Sequence, residues 1–360
     1  MLVFITTFVS PHTLPLGLEM TKYYDRVVFI NTMELTEERK RMGYALSDDR
    51  VEIINLYECE GKCRELIDNA RDVIMAGTRF DLVDSRIKQG KQVFIAHERI
   101  FKKGALKWLD PRTWQLLKFC HAVRRKNVYF LSIGDFAAQD FRKLGFNKDK
   151  IFRFGYFPKN ESCSDGVSKR DCNQKCRVLW VGRMVDFKRP LMALKAFKGL
   201  PSTEFSLTMV GDGALFSAVK KYADKNRIDV EILGNQPNAT VRELMYKSDI
   251  LFSTSNRGEG WGAVVNEGMS CGCAVVCSDS IGCAGTLAND KNSVIFDTHS
   301  VKDAKRALVE ARDRRDELGT LGKLTVENDY CAATAAERFS ALAKADNKDI
   351  FADGVCSKVY

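Results

Sequence analysis

Apolar residues fall in short runs along this chain, separated by glycine turns or by polar stretches with helical spacing. In the first half the runs Leu2–Val9, Arg26–Asn31, Val51–Leu56, Asp72–Gly77, Lys91–His97 and Asn127–Ile133 predict strands. Thr36–Tyr44, Pro111–Lys126 and Asp135–Leu144 between them predict helices. Strands apolar on both faces, alternating with helices, specify a parallel sheet covered on two sides. The stretch 161–175 is polar and loop-like and reads as a linker. The alternation then restarts. Cys176–Val181, Phe205–Val210, Val230–Leu233, Ile250–Ser255, Ala274–Ser278 and Ser293–Phe296 predict strands. Helices are expected at Pro190–Leu200, with proline suited to a first turn, at Ala239–Ser248, and over most of the chain from Val301. The fold class is α/β, with two doubly wound domains. In such sheets ligands bind at the carboxyl ends of strands.

Length and composition agree. The chain has 360 residues, more than one core normally serves, and is 45% hydrophobic and 29% charged, as soluble domains are. No apolar run reaches the roughly 18–20 residues of a spanning helix. The start, Met1–Ser10, lacks a basic leader and a small-residue cleavage site, so it reads as a first core strand. Twelve cysteines without a secretory signal are expected as thiols, in a cytosol. Cys59/Cys63 and Cys172/Cys176 are each spaced C-x3-C, but no histidine is near and a zinc site needs four ligands, so no metal is assigned. The net charge of +9 is concentrated. Residues 86–126 hold twelve basic side chains against two acids, Glu98 and Asp110, with Phe101, Leu106, Trp108, Leu109 and Trp114 interleaved. That block suits an anionic membrane, a phosphorylated substrate or nucleic acid, or is simply a solvated basic face.

The chemistry lies in the glycine turns. Gly182-Arg183 with Lys188 sets two cations beside a helix start, where a fork of donors and a mobile point charge suit a diphosphate. Gly211-Asp212-Gly213 is not a full G-x-G-x-x-G, which counts against a dinucleotide cofactor. Arg257-Gly-Glu259-Gly-Trp-Gly-Ala-Val-Val-Asn-Glu267 combines a bare turn with two carboxylates eight positions apart, able to project from one side of a helix. Free N–H groups at a helix N-terminus draw anions and hydroxyls. A polyhydroxylated ligand carrying phosphate fits, and so does a decorative surface loop.

Taken together, Gly182-Arg183…Lys188, Val210-Gly-Asp-Gly213, Tyr246-Lys-Ser-Asp249 and Glu259-Gly-Trp-Gly-Ala-Val-Val-Asn-Glu267-Gly-Met resemble the carboxyl-terminal domain of glycosyltransferase family 4, as does Cys271–Ser278. The resemblance covers about 176–300; before that only the β-α rhythm matches. Three departures stand out: Gly268 for alanine, Ala274 for proline, and a first loop, Ser10–Gly17, without a double glycine. The resemblance implies a retaining enzyme of GT-B architecture, two Rossmann-like domains facing a central crevice. It implies an acceptor domain at 1–160, a nucleotide-sugar donor domain at 176–330, and a helical segment at 331–360 packing back toward the first domain. Arg183 and Lys188 would hold the diphosphate as it leaves, without metal or cofactor. Glu267 would bind ribose hydroxyls and Glu259 the transferred sugar, beside the backbone of Gly260, Trp261, Gly262 and Ala263. Gly182, Gly211 and Gly213 would line the phosphates, and Leu233, Gly234 and Asn235 the base. His97, with His12 as a second choice, would face the sugar from the first domain. The donor would be a UDP or GDP sugar. The acceptor would be a glycan or polyprenyl-linked sugar, with residues 86–126 touching an anionic membrane at its cytoplasmic face.

Two other readings remain open at this point. One is a sugar-nucleotide epimerase or a phosphorylase on the same fold, or a sensor that binds without transfer; the cation pair and the carboxylate spacing argue against these. The other is a non-enzymatic nucleic-acid or membrane binder using the basic block. No RNA-recognition, zinc-finger or helix-turn-helix pattern supports nucleic acid.

Overall fold

The computed structural model describes residues 1–37, 45–159, 175–346 and 348–359. Most of the helix expected over Thr36–Tyr44, the linker up to residue 174, and Cys172 lie outside them. The chain divides into two compact units, Met1–Lys159 with Asp329–Tyr360, and Asn160–Asn328.

The first unit is built on a seven-stranded sheet: β1 (Leu2–Thr6), β2 (Val27–Asn31), β3 (Glu52–Asn55), β4 (Asp72–Ala76), β5 (Val93–His97), β6 (Val128–Ile133) and β7 (Ile151–Phe154). Their spatial order is β3-β2-β1-β4-β5-β6-β7, with every neighbouring pair parallel. Every residue of β1 and β2 is buried, which is why both read as unbroken apolar runs. The edge strand β7 was not expected. Its sequence Ile-Phe-Arg-Phe is short and is interrupted by Arg153. The last residues of the chain cover this edge. Arg153 N–H donates to Ser357 O at 2.8 Å, and Cys356 N–H to Arg153 O at 2.8 Å. Helix Ala332–Lys344 packs on helix Leu14–Met20 and sets the buried Phe339 edge-on to Phe94 of β5, centroids 4.8 Å apart.

The second unit holds β8 (Cys176–Val181), β9 (Phe205–Val210), β10 (Val230–Gly234), β11 (Ile250–Ser253), β12 (Ala274–Ser278) and β13 (Ser293–Phe296), in the order β10-β9-β8-β11-β12-β13 and again all parallel. Helices Pro190–Phe197, Phe216–Asn226, Asn238–Lys247, Ala263–Ser270, Val301–Asp313 and Arg315–Leu324 accompany the sheet. The core is closed by Trp180, Phe205, Phe252 and Phe296. Asp249, buried just before β11, accepts from the backbone N–H of Arg177 at 2.8 Å and from its guanidinium at 3.3 Å, which braces β11 against β8. Strand order reverses between β1 and β4 in one sheet and between β8 and β11 in the other. These are the switch points where open sheets leave a crevice at their carboxyl ends.

The basic segment divides into inner and outer cations. Arg86 is 1% exposed and donates to the carbonyls of Ile67, Ala70, Arg71 and Gln92, so its charge knits the fold and faces no partner. Arg99 is also buried. Lys103, Arg112, Lys118, Arg124, Arg125 and Lys126 are exposed. Leu106, Leu109 and Trp114 lie among them on the 3-10 turn Gly104–Leu109 and helix Pro111–Val123, with 69, 80 and 51% of their surface open. No helix among the described residues is long and apolar enough to cross a membrane.

Candidate active site

In the second unit the turns after β8, β9 and β10 are stitched together through their backbones. Gly182 N–H donates to Val210 O at 3.0 Å, Met184 N–H to Asp212 O at 2.8 Å, and Gly211 N–H to Gly234 O at 2.7 Å. Gly211 has φ of 127°, and a Cβ there would sit 2.0 Å from Gly182 O, so no other residue allows this approach. The turns bring Gly182, Gly211, Gly213 and Gly234 together at the carboxyl ends of adjacent strands.

Lys188 ends a 3-10 turn, Asp186–Lys188, and its main chain is fixed from two sides. The Thr254 hydroxyl, at the end of β11, lies 2.9 Å from Lys188 O and 3.0 Å from Arg189 O. Arg189 adopts a left-handed φ of 52° and anchors on Thr298 through its guanidinium. The next residue, Pro190, opens the helix. So held, Lys188 Nζ forms an ion pair with Glu259 Oε2, both side chains largely out of solvent. Ser255 Oγ donates to the same carboxylate oxygen at 3.1 Å. Two predicted site residues, from turns on either side of the switch point, are thereby brought together. Arg183 is exposed, its guanidinium 5.9 Å from the Phe187 ring.

Glu259 and Glu267 do not share a helix. Helix Ala263–Ser270 begins after Glu259, with Gly262 as its N-cap at φ 92°. Glu259 belongs to the turn, and only Glu267 to the helix. Glu267 keeps a partly open surface but is sunk deep enough that desolvation raises its carboxyl above the ordinary value of 4.5, with Arg242 and Lys188 pulling the other way. Arg242, on helix Asn238–Lys247, was not singled out in the sequence; only the fold brings it to Glu267. Trp261 is fully buried and its indole N–H donates to Asn266 Oδ1 at 2.7 Å, so only its main chain is left for a ligand. The Gly260 carbonyl is packed against Gly282. Ala263 is the first residue of the helix, where its N–H is spare. Leu233 is half-buried and Asn235 exposed at the end of β10.

In the first unit, a cavity of about 350 Å³ at the carboxyl ends of its strands is lined by His12, His97, Glu98 and Tyr156 among others. His97 ends β5. Its Nδ1 lies 2.7 Å from Glu98 O, an atom that can only accept, so Nδ1 carries the proton and Nε2 is left as the acceptor. Burial lowers its pKa below 6.5, which keeps the ring neutral at pH 7. His12 stacks on Tyr156, centroids 5.5 Å apart, and burial lowers it too. In the sequence Glu98 stands out only as one of two acids in the basic block. Burial would raise it, but Lys102 at 2.7 Å and the Tyr156 hydroxyl at 2.7 Å outweigh that and hold it below the ordinary range.

Residues 170–322 match the model of a family described as Glycosyl transferases group 1. This stretch is similar to that family. It contains Arg183, Lys188, Arg242, Glu259 and Glu267 and every strand from β8 to β13. An uncharacterized glycosyltransferase of Methanocaldococcus jannaschii is 27% identical over 146 residues, so the match spans 40% of this chain and 40% of that protein's length. Over nearly the whole chain the fold is that of solved structures with two Rossmann-like domains, the GT-B arrangement. HepE of Anabaena in complex with UDP is similar with a TM-score of 0.72 at 13% identity, covering 94% of this chain and 98% of that one. TarM is similar with a TM-score of 0.70 at 13% identity, covering 96 and 99%. The lipopolysaccharide outer core galactosyltransferase WaaB is similar with a TM-score of 0.67 at 15% identity, covering 96 and 99%.

Proposed function

We propose that this protein is a retaining glycosyltransferase that moves a sugar from a nucleotide diphosphate to a glycan or lipid-linked acceptor. The observation that carries the reading is the meeting of Lys188, Glu259 and Glu267 at the switch point of a group 1 domain. On this reading Lys188 and Arg183 take the diphosphate oxygens. Charge grows there as the sugar–phosphate bond breaks, and preorganised cations act most strongly on that growing charge. The side chains supply this stabilisation themselves, so the proposal includes no cofactor. Glu267 accepts from the ribose hydroxyls and Glu259 from the transferred sugar, while Gly182, Gly211 and Gly213 let backbone approach the phosphates. His97 Nε2 accepts from a sugar hydroxyl. No protein nucleophile is assigned.

A UDP donor is favoured because HepE was solved with UDP and with UDP-glucose, and TarM of S. aureus with UDP. An acceptor at a cytoplasmic membrane face is part of this proposal, and exposed Leu106, Leu109 and Trp114 among basic side chains support it. A panel of UDP-, GDP- and ADP-sugars, scored by thermal stabilisation and by donor hydrolysis, tests the reading without an acceptor. One donor class should stabilise the chain, and Glu267→Ala should abolish that effect. Stabilisation by none, or full stabilisation of the variant, would defeat the assignment.

A further inference from the structure

One residue of the first unit reaches both histidines of its cavity. Glu98 follows His97 at the end of β5. Its loop is braced from helix Asp135–Lys143, where the buried Asp140 accepts from the Ile100 and Phe101 N–H groups at 2.7 and 2.8 Å. The main-chain carbonyl of Glu98 accepts from Nδ1 of His97. Its carboxylate reaches the other way: Oε1 accepts from the Tyr156 hydroxyl at 2.7 Å and Oε2 from Lys102 at 2.7 Å. With both oxygens engaged inside the protein, this carboxylate acts as a brace. The Tyr156 ring stacks on His12, and the next residue, Phe157, donates its N–H to His12 O at 3.4 Å. Glu98, Tyr156 and His12 thus form one connected line across the segments that follow β5, β7 and β1. At its end His12 lines the cavity, and its Nδ1 is buried without a hydrogen-bond partner among the described residues. An unpaired buried polar atom costs about 1–3 kcal/mol, a cost that a ligand in the cavity removes.

We propose that Glu98 is a positioning residue that presents both imidazoles to a neutral polyhydroxylated ligand, His97 through its carbonyl and His12 through Tyr156. A hydroxyl both donates and accepts, so it satisfies Nδ1 of His12 in either tautomer and Nε2 of His97 as an acceptor. An anion fits poorly. Among the described residues no lysine or arginine lines the cavity, and the one charged side chain on its wall is the carboxylate of Glu98, which repels an anion. Burial also disfavours the charged form of both rings, so neither offers a cation. The volume, about 350 Å³, lies within the range of small-molecule sites, roughly 300–1,000 Å³. The inference rests on the glycosyltransferase reading for naming that ligand the sugar, but not for the positioning itself.

The test uses the full chain with ring-labelled histidine, read by NMR. His121 and His299 do not line the cavity and report on the rest of the fold. The probes are glucose, galactose, mannose, N-acetylglucosamine and inorganic phosphate. At least one sugar should shift the His12 and His97 signals together, and phosphate should shift neither. Tyr156→Phe keeps the stacked ring but removes its bond to Glu98, and Glu98→Ala removes the brace itself. Each should move the His12 signal before any probe is added and weaken the sugar response about tenfold, the loss of one hydrogen bond. Each should leave the His97 tautomer unchanged, because a main-chain carbonyl holds it. Glu98→Gln, whose amide oxygen still accepts from Tyr156, should restore both the His12 signal and the sugar response. A role in stability alone would move His121 and His299 as well. If Glu98→Ala does not fold, Tyr156→Phe decides. No shift with any sugar, a shift with phosphate, a response of His97 alone, or a wild-type response in Tyr156→Phe would overturn the proposal. If no nucleotide sugar stabilises the chain while a sugar still shifts both histidines, the transfer reading falls and the positioning stands. If a nucleotide sugar stabilises the chain and no sugar shifts them, the positioning falls and the transfer reading stands.

Discussion

Lys188 and Glu259 neutralise one another at the strand ends, whereas Glu267 is burdened by its surroundings. Its raised pKa means that the folded state holds the proton more tightly than the unfolded chain does. Below about 4.5, the ordinary glutamate value, both states are protonated and the residue costs nothing. As pH rises from there the unfolded chain ionises first, so stability is lost until the folded carboxyl ionises too. Glu267→Gln should therefore melt with the wild type near pH 4 and above it at pH 8. The same change should weaken binding of the preferred donor about tenfold, ~1.4 kcal/mol, because a charged acceptor is exchanged for a neutral one. A variant less stable than wild type at pH 8 would show that Arg242 and Lys188 outweigh desolvation, reversing the sign of the shift. Gly268, one turn-neighbour away, shows why alanine is absent there. A methyl group at 268 would come within 2.4 Å of Leu251 Cδ2 in β11.

At the level of elements, the strands of both sheets were readable because parallel strands buried on two faces have no polar positions to blur them. Cys176–Val181, Phe205–Val210, Ala274–Ser278 and Ser293–Phe296 stand where their apolar runs end. What was missed has a local cause: Arg153 breaks β7, Pro15 and Gly17 disguise helix Leu14–Met20, and the lysines of Phe216–Asn226 hide its apolar face. The site divides the same way. Glycine turns were legible because backbone geometry demands them. Arg242 and Glu98 were not, because their partners lie on other elements. The basic block misled in part, since charge counting cannot tell Arg86, which holds four carbonyls, from exposed Arg112. The element that does face solvent is Gly104–Val123. Replacing Leu106, Leu109 and Trp114 together by serine should abolish flotation with anionic vesicles at low salt, while leaving nucleotide-sugar stabilisation unchanged. Raising the salt should weaken wild-type binding as the basic rim is screened. If wild type fails to float with anionic vesicles, the membrane reading is lost.

Across the whole molecule, the end of the chain supports a site formed near its beginning. Phe339 lies on helix Ala332–Lys344, is fully buried, and meets Phe94 three residues before His97 on β5. Removing a buried phenylalanine costs about 3–5 kcal/mol. In a unit of this size each kcal/mol lowers the melting temperature by about 2–4 °C. Phe339→Ala should therefore destabilise the first unit by roughly 6–20 °C and speed hydrogen exchange in β5, β6 and helix Leu14–Met20, since these share the packing. Strands β8 to β12 draw their core from other residues, so their exchange and their stabilisation by nucleotide sugar should be unaltered. The separation is informative about catalysis as well as stability. A variant that still binds donor but transfers poorly would assign the loss to the positioning of His97, since Arg183 and Lys188, proposed to take the diphosphate, belong to the other unit. If exchange in β8 to β12 rises as much as in β5, the two sheets unfold as one cooperative body. The last helix would then support strands β8 to β12 as directly as it supports β5.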